Sequence, residues 1–299
     1  MPSPRYVIHT LSYSPFIGGP IVQHKLCHTL NMLGENAVVA PMPKPTWGGR
    51  RMRFMQWLKR KPFVTSPDLN TPVMKERRAR PDDIVLYAEL AGNNPLRGRN
   101  VVHWLLNRPS FHDRTVHAGP RDLFFKYDDR CDEPALTKGK AQTLFLFTRN
   151  PSYSQTNHGP RSGTCYMIRK AKGQPMVHDM QDSLRVDDMP HDELSRVFNQ
   201  RKTFYCYDEM SSYSQFAAIC GCISVVIPWH FKDQADFVAN YPLSRYGVAY
   251  GEENIPHAKA TMHLVEGYLK ECEESGIQSV RDFITVTRQH FGFPPAGKV

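Results

Sequence analysis

The chain is predicted to be α/β, with two domains that each hold a parallel sheet. Three observations predict this. Residues 203–229 run strand, loop, helix, turn, strand, and residues 4–40 repeat that order near the N-terminus. The third is size, since 299 residues with 40% apolar side chains suffice for two ordinary domains.

In the first of these stretches, residues 204–207 are aromatic and strand-like, and 208–212 form a polar loop. Residues 212–220 suit a short helix with Ser211 or Ser212 as its N-cap, and Gly221 stands where a helix-ending glycine belongs. Residues 223–227 are an apolar run interrupted only by Ser224, as in a strand covered on both faces, and Pro228 stops it. The two strands of such a unit lie parallel, and ligands of such sheets bind outside the carboxyl ends of the strands. The loop at that end carries Asp208 and the hydroxyls of Ser211, Ser212 and Tyr213.

From the N-terminus, residues 4–10 read as a strand and 11–20 as a loop ending in Gly18-Gly19-Pro20. Residues 21–33 have apolar side chains at near-helical spacing, Gly34 ends that helix, and 37–40 is the next strand, a Rossmann-like opening. A glycine pair before a helix is either a plain tight turn or a place where a phosphate or carboxylate nears backbone N–H groups; the full G-x-G-x-x-G spacing is absent. Residues 82–89 form a strand with Glu89 at its end, where a general base and an ordinary exposed loop carboxylate are both open. Residues 100–106 form another strand, followed by Asn107, with His103 as a packed histidine. Residues 124–127 suit a short strand, and 128–133 an acidic loop without spaced metal ligands.

A domain change is expected near residues 138–142, giving domains 1–140 and 141–275 and a final helical segment 276–299. Residues 143–147 would open the second sheet and 164–168 continue it, with a mobile Gly/Ser/Asn-rich loop at 152–163. A further strand is expected near Val177, a helix at 191–200, and helices at 235–241, 258–275 and 280–290, with a strand at 246–250.

The order of residues in 203–228 and 10–40 resembles the two-domain glycosyltransferases of the GT-B class. The matching residues are Asp208, the small-residue helix ending Ala217-Ala218-Ile219-Cys220-Gly221, and the strand Ser224–Pro228. The resemblance covers roughly residues 4–290. It implies two Rossmann-like domains facing across a cleft, with a last helix crossing back to the first domain. It also implies a nucleotide-sugar donor held by Gly18, Gly19, Arg149, Lys170, Ser211, Ser212 and Tyr213. Glu89 and Asp208 become the catalytic candidates, and Asn107 an acceptor contact. The class commonly has an acid five residues before the helix-ending glycine; here Phe216 stands there.

The formal charge of +9 is local. Residues 44–80 hold eleven Lys or Arg against Asp68 and Glu76, and the remainder is balanced at 27 of each sign. Within that stretch Arg50, Arg51, Arg53, Lys59, Arg60 and Lys61 interleave with Phe54, Trp57 and Leu58, which suits an anionic membrane surface, a nucleic-acid backbone, or a solvated loop with one buried helix face. No run of about 18 apolar residues implies a spanning helix, and the N-terminus lacks a signal-peptide pattern. The seven cysteines are scattered, with a single C-x-C and no paired metal spacing. They imply reduced thiols in the cytoplasm and no structural zinc. No cofactor is expected. The leading function is metal-independent sugar transfer from a nucleotide-sugar to a glycan or lipid-linked glycan, with peripheral attachment to a membrane. Sugar transfer to DNA, as in phages, and a GT-B-like domain that binds nucleotide or glycan without turnover are the alternatives.

Overall fold

The computed structural model describes residues 3–42, 62–91, 93–112, 115–171 and 173–297. The patch residues Arg50, Arg51, Arg53, Trp57, Lys59, Arg60 and Lys61 lie outside the described residues.

Apolar runs without alternation become strands buried on both faces, as a parallel sheet requires. β1 (Arg5–Thr10), β3 (Asp83–Ala88) and β4 (Asn100–Leu105) are buried along their whole lengths. With β2 (Asn36–Pro41), β5 (Leu123–Lys126) and β6 (Gln142–Thr143) they form a six-stranded sheet in the order β2-β1-β3-β4-β5-β6, every pair parallel. A second, five-stranded parallel sheet has the order β11-β10-β9-β7-β8. Its strands are β7 (Ser162–Met167), β8 (Ser183–Arg185), β9 (Arg201–Cys206), β10 (Ile223–Val226) and β11 (Val248–Tyr250). Both sheets are Rossmann-like, and the α/β class expected from the sequence is found.

Among the described residues the α-helices are α1 (Gly18–Met32), α2 (Pro134–Thr137), α3 (His191–Gln200), α4 (Tyr213–Ile219), α5 (Gln234–Asn240), α6 (Ile255–Thr261) and α7 (Val265–Phe291). Met1–Thr148 and Glu273–Val299 form one unit, and Arg149–Cys272 the other. Val280, Phe283 and Ile284 of α7 join the core of the first unit with Tyr6, Ile8, Leu26 and Trp104. The core of the second contains Phe204, Cys206, Ala217, Cys220 and Val226. Among the described residues no helix is long and apolar enough to cross a membrane. All seven cysteines are unbonded, and all but Cys272 are buried.

Several elements depart from the sequence-based expectation. Residues 143–147 do not open the second sheet: β6 pairs with β5, and Leu144 and Leu146 pack in the first core. No strand forms at Val177, which is exposed and donates its N–H to the Tyr207 hydroxyl at 3.0 Å; the edge strand is β8. The loop 152–163 is pinned rather than mobile. Asn199 Oδ1 accepts the N–H groups of Thr156 and Asn157 at 2.7 and 3.1 Å, and Arg161 donates to the carbonyls of Phe198 and Cys220. The stretch from 265 to 291 is one helix of 27 residues, not two helices broken near Gly276. The Gly18-Gly19-Pro20 segment is the first turn of α1 rather than a loop before it.

In a doubly wound sheet the crevice opens where the strand order reverses. Those points are between β1 and β3 in the first sheet and between β7 and β9 in the second.

Candidate functional site

At the reversal in the second sheet the chain leaves β7 and turns sharply at Arg169, whose φ of 45° lies in the left-handed region. Asp187 holds that turn. Its carboxylate accepts the Ile168 N–H at 3.2 Å, the Arg169 N–H at 2.7 Å and the Arg185 Nε–H at 3.0 Å. Burial raises the Asp187 carboxyl, but the bonds from Arg169, Arg185 and Ile168 outweigh it, leaving the group below the ordinary carboxylate range.

The turn aims Arg169 across to the loop after β9. Its guanidinium lies 4.9 Å over the Tyr213 ring, and its Nε is 3.7 Å from Asp208 Oδ2. The Asp208 side chain is only 11% exposed. Burial pushes its carboxyl up, Lys170 and Arg169 pull it back, and Glu209 and Asp187 push it further. Lys170 and the 208–213 loop therefore lie at this strand end together with Arg169, which the sequence reading did not single out. Arg149 sits with Glu266 of α7 instead, at 4.0 Å. Ser211 is buried; its N–H donates to the Asp208 carbonyl at 3.1 Å, and its hydroxyl oxygen accepts the Tyr213 N–H at 3.4 Å. Ser212 occupies the N-cap position of α4 without a side-chain cap bond. Phe216 is buried and stacks on Tyr153 at 4.4 Å and 10°, so an aromatic cluster fills the place where the resembled class carries an acid.

Glu209 is a second residue that the sequence reading did not single out. It is buried, and its Oε1 accepts the N–H of Trp229 at 2.7 Å, the N–H of His230 at 2.8 Å and the Tyr250 hydroxyl at 2.7 Å. Its Oε2 accepts His230 Nδ1–H at 2.6 Å. One carboxylate thus ties together the loops after β9 and β10 and the end of β11.

At the reversal in the first sheet, Glu89 follows β3 in a single tight turn. It is buried, not an exposed loop carboxylate, and its Oε2 accepts the Leu106 N–H at 3.0 Å. Burial pushes its carboxyl up against the pull of the N–H groups of Leu106, Glu89 itself and Asn107. Asn107 is thereby placed beside Glu89, while its own Oδ1 accepts the Arg108 N–H at 2.8 Å. Gly18 and Gly19 both have negative φ. Among the described residues a Cβ at Gly18 would meet nothing within 4 Å, and one at Gly19 only Leu106 Cδ1 at 3.8 Å. Neither backbone angle nor packing within the described chain requires glycine there.

The same strand ends hold His9, whose burial lowers the imidazole to about 4 and keeps it neutral near pH 7. Thr10 Oγ1 donates to Gln23 Oε1 at 2.8 Å, and Gln23 Nε2 donates to the His9 carbonyl at 3.3 Å, linking β1 to α1. His103 packs on Phe124 at 5.1 Å and bonds Asp122 at 2.8 Å, a packed histidine as expected. The acidic loop 128–133 is answered internally: Lys126 reaches Asp129 and Asp132 at 2.8 and 3.1 Å, and Arg130 pairs with Asp128. Among the described residues no three His, Cys, Asp or Glu side chains gather as metal ligands.

No family model and no curated protein matches the sequence. Among solved structures the chain is similar to T4 phage BGT in complex with its UDP-glucose substrate, at 9% identity over 96% of this chain and 98% of that one, with a TM-score of 0.46. It is similar to a UDP-N-acetylglucosamine 2-epimerase at 11% identity over 99% of each chain, TM-score 0.43. It is also similar to the glycotransferase of kitacinnamycin, at 12% identity over 97% of this chain and 98% of that one, TM-score 0.38. Likenesses of this size assign the chain neither an activity nor a substrate.

Proposed function

We propose that the protein is a GT-B-type glycosyltransferase that moves a sugar from a nucleotide-sugar donor to an acceptor hydroxyl. The observation that carries this is the meeting of Arg169, Lys170, Asp208 and the Ser211–Tyr213 segment at the reversal of the second sheet. Cations, buried hydroxyls and a carboxylate at such a crevice suit a diphosphate attached to a polyol. Arg169 and Lys170 hold the diphosphate, because guanidinium and ammonium groups match phosphate oxygens. Asp208 accepts hydrogen bonds from donor hydroxyls and keeps Arg169 in place. In transfer the bond from the anomeric carbon to the diphosphate oxygen breaks, and its electron pair stays on that oxygen. The acceptor oxygen forms the new bond and gives its proton to a base. Glu89, buried and with its carboxyl raised, is the candidate base. Gly18 and Gly19 leave room for a ligand to approach the backbone at the start of α1. The acceptor proposed is a glycan or lipid-linked glycan, brought in by the basic stretch 44–80 at an anionic membrane.

The test is a panel of nucleotide sugars screened by thermal unfolding, followed by transfer of a radiolabelled sugar. A donor at 100 times its dissociation constant should add about 2.7 kcal/mol of stability. If no nucleotide sugar or nucleoside diphosphate stabilises the protein, the proposal fails.

A further inference from the structure

Glu209 and His230 form a pair whose geometry exceeds what bracing a loop needs. Two backbone N–H groups and the Tyr250 hydroxyl already converge on Glu209 Oε1 and would fix the loop after β10. The other oxygen is spent on a side chain: His230 Nδ1–H donates to it at 2.6 Å. The imidazole so held is 71% exposed, while its carboxylate partner is 5% exposed. With Nδ1 engaged, Nε2 lies on the opposite side of the ring, and it has no partner among the described residues. A buried carboxylate that grips one imidazole nitrogen orients the ring and fixes its tautomer.

The strand register places this imidazole. β10 lies beside β9 with Val226 opposite Cys206, so the chains leaving the two strands run side by side, and the Ile227 N–H donates to the Cys206 carbonyl at 2.9 Å. On the other side of β9 lies β7, which delivers Arg169 and Lys170. Asp208 touches Arg169, and the next residue, Glu209, touches His230. Arg169 and Lys170 on one side and His230 on the other therefore flank the 207–213 loop. The titratable groups around His230 are Glu209 from that loop and Tyr250 from β11. Asp208 and Arg169 stand next along the loop, and Lys232 and Asp233 follow on its own segment.

We propose that His230, oriented by Glu209, is a third phosphate-binding group of the donor site, donating Nε2–H as an imidazolium to the diphosphate held by Arg169 and Lys170. This rests on the reading of the second sheet as a donor site. It makes diphosphate binding take up a proton at the protein, and it supplies positive charge where the leaving diphosphate gains its negative charge.

The experiment is calorimetric titration of the full chain with UDP, GDP, ADP and dTDP at pH 6.0, 7.0 and 8.0, each in two buffers of different ionisation heat. Wild type is compared with His230→Gln and His230→Lys, so that protonation of the ligand itself cancels. The wild type should bind one of the diphosphates with an affinity that falls as pH rises and with net proton uptake relative to His230→Gln. His230→Gln should bind about tenfold or more weakly at pH 6.0 and lose that pH dependence. His230→Lys, a cation over the whole range, should restore affinity without restoring the pH dependence. Unfolding temperatures establish that each variant is folded, and the exposed position of His230 favours that outcome. If His230→Gln matches the wild type in affinity and proton count, the pair is only a brace and the inference fails while the donor site stands. If no diphosphate binds the wild type, the donor-site reading itself falls.

Discussion

Glu89 shows how a single side chain couples burial to chemistry. Its folded-state carboxyl is raised by burial, so the native state holds a proton more tightly than the unfolded chain does. The resulting stability is fully present below the unfolded value of about 4.3 and is lost as pH rises through the folded value. Glu89→Gln should flatten that part of the stability–pH curve, measured by urea unfolding between pH 4 and 8. If Glu89 is the base, the same variant should lower kcat by roughly 10²- to 10⁴-fold. The acid limb of the wild-type kcat/KM profile should also lie above the ordinary glutamate value. Arg169 makes a second case. Charge-assisted hydrogen bonds contribute roughly 1.5–3 kcal/mol each, so Arg169→Gln should weaken nucleoside diphosphate binding by about 10- to 100-fold in calorimetry. The folded state should change little, since the Arg169 N–H that Asp187 holds belongs to the backbone. Neither Arg169 nor the Glu209–His230 pair was legible in the sequence. Arg169 is aimed by a left-handed turn fixed by a carboxylate 18 residues away, and Glu209 meets a histidine 21 residues away. No local pattern encodes such meetings; the places of Lys170 and Asp208 after strands were legible, and Arg169 shares that place, but which of the two neighbouring cations turns toward Asp208 is set by the left-handed turn.

At the scale of elements, the first turn of α1 is the informative case. Glycine within a helix costs about 0.5–1 kcal/mol relative to alanine, and neither φ nor packing within the described chain requires it at Gly18 or Gly19. Gly18→Ala should therefore raise the unfolding temperature. Gly19→Val should leave the fold intact and abolish transfer, measured with the donor found in the screen. Full turnover in Gly19→Val would show that the glycine serves no ligand. The strands were legible because a parallel sheet covered on both faces needs nearly continuous apolar runs, and 84–88 and, apart from Ser224, 223–227 have them. Which sheet a strand joins was not: residues 143–147 have strand character, but their membership is settled by β5 and by the first core. The break expected between the helices 258–275 and 280–290 fails at Gly276. A glycine after a helical run reads as a stop, yet here it lies inside α7, where a Cβ would come within 3.4 Å of the Leu146 Cα and the Phe147 nitrogen. The glycine admits close backbone contact rather than a turn.

For the whole molecule the charge distribution makes the sharpest statement. All of the net +9 resides in residues 44–80, and the rest of the chain is neutral. Near an anionic bilayer each Lys or Arg contributes about 1 kcal/mol, and exposed charges are screened over about 8–10 Å at physiological salt. Flotation with acidic liposomes should therefore retain the protein at low salt and release it as salt rises. Changing Arg50, Arg51, Arg53, Lys59, Arg60 and Lys61 to Gln should abolish retention while leaving donor binding unaltered. A wild type that ignores such liposomes but retards duplex DNA at the same salt would replace the membrane with a nucleic acid acceptor. The division of the chain is equally uneven: Arg149–Cys272 is one continuous segment, whereas the other unit is assembled from both ends of the sequence.

That unevenness has a consequence during synthesis. The Tyr6 hydroxyl meets Thr287 Oγ1 at 3.1 Å, and Arg288 closes on the buried Glu35 at 2.6 Å. Tyr6 and Glu35 leave the ribosome early and must wait for partners translated more than 250 residues later. The second unit meets no such delay, because all of its strands are made before α7 is finished. On the ribosome the order of completion is thus the reverse of the order of translation. Until α7 arrives, the place that Val280, Phe283 and Ile284 fill in the first core, beside Leu26 and Leu30 of α1, stays open to water, and it is exposed apolar surface of that kind that a chaperone binds.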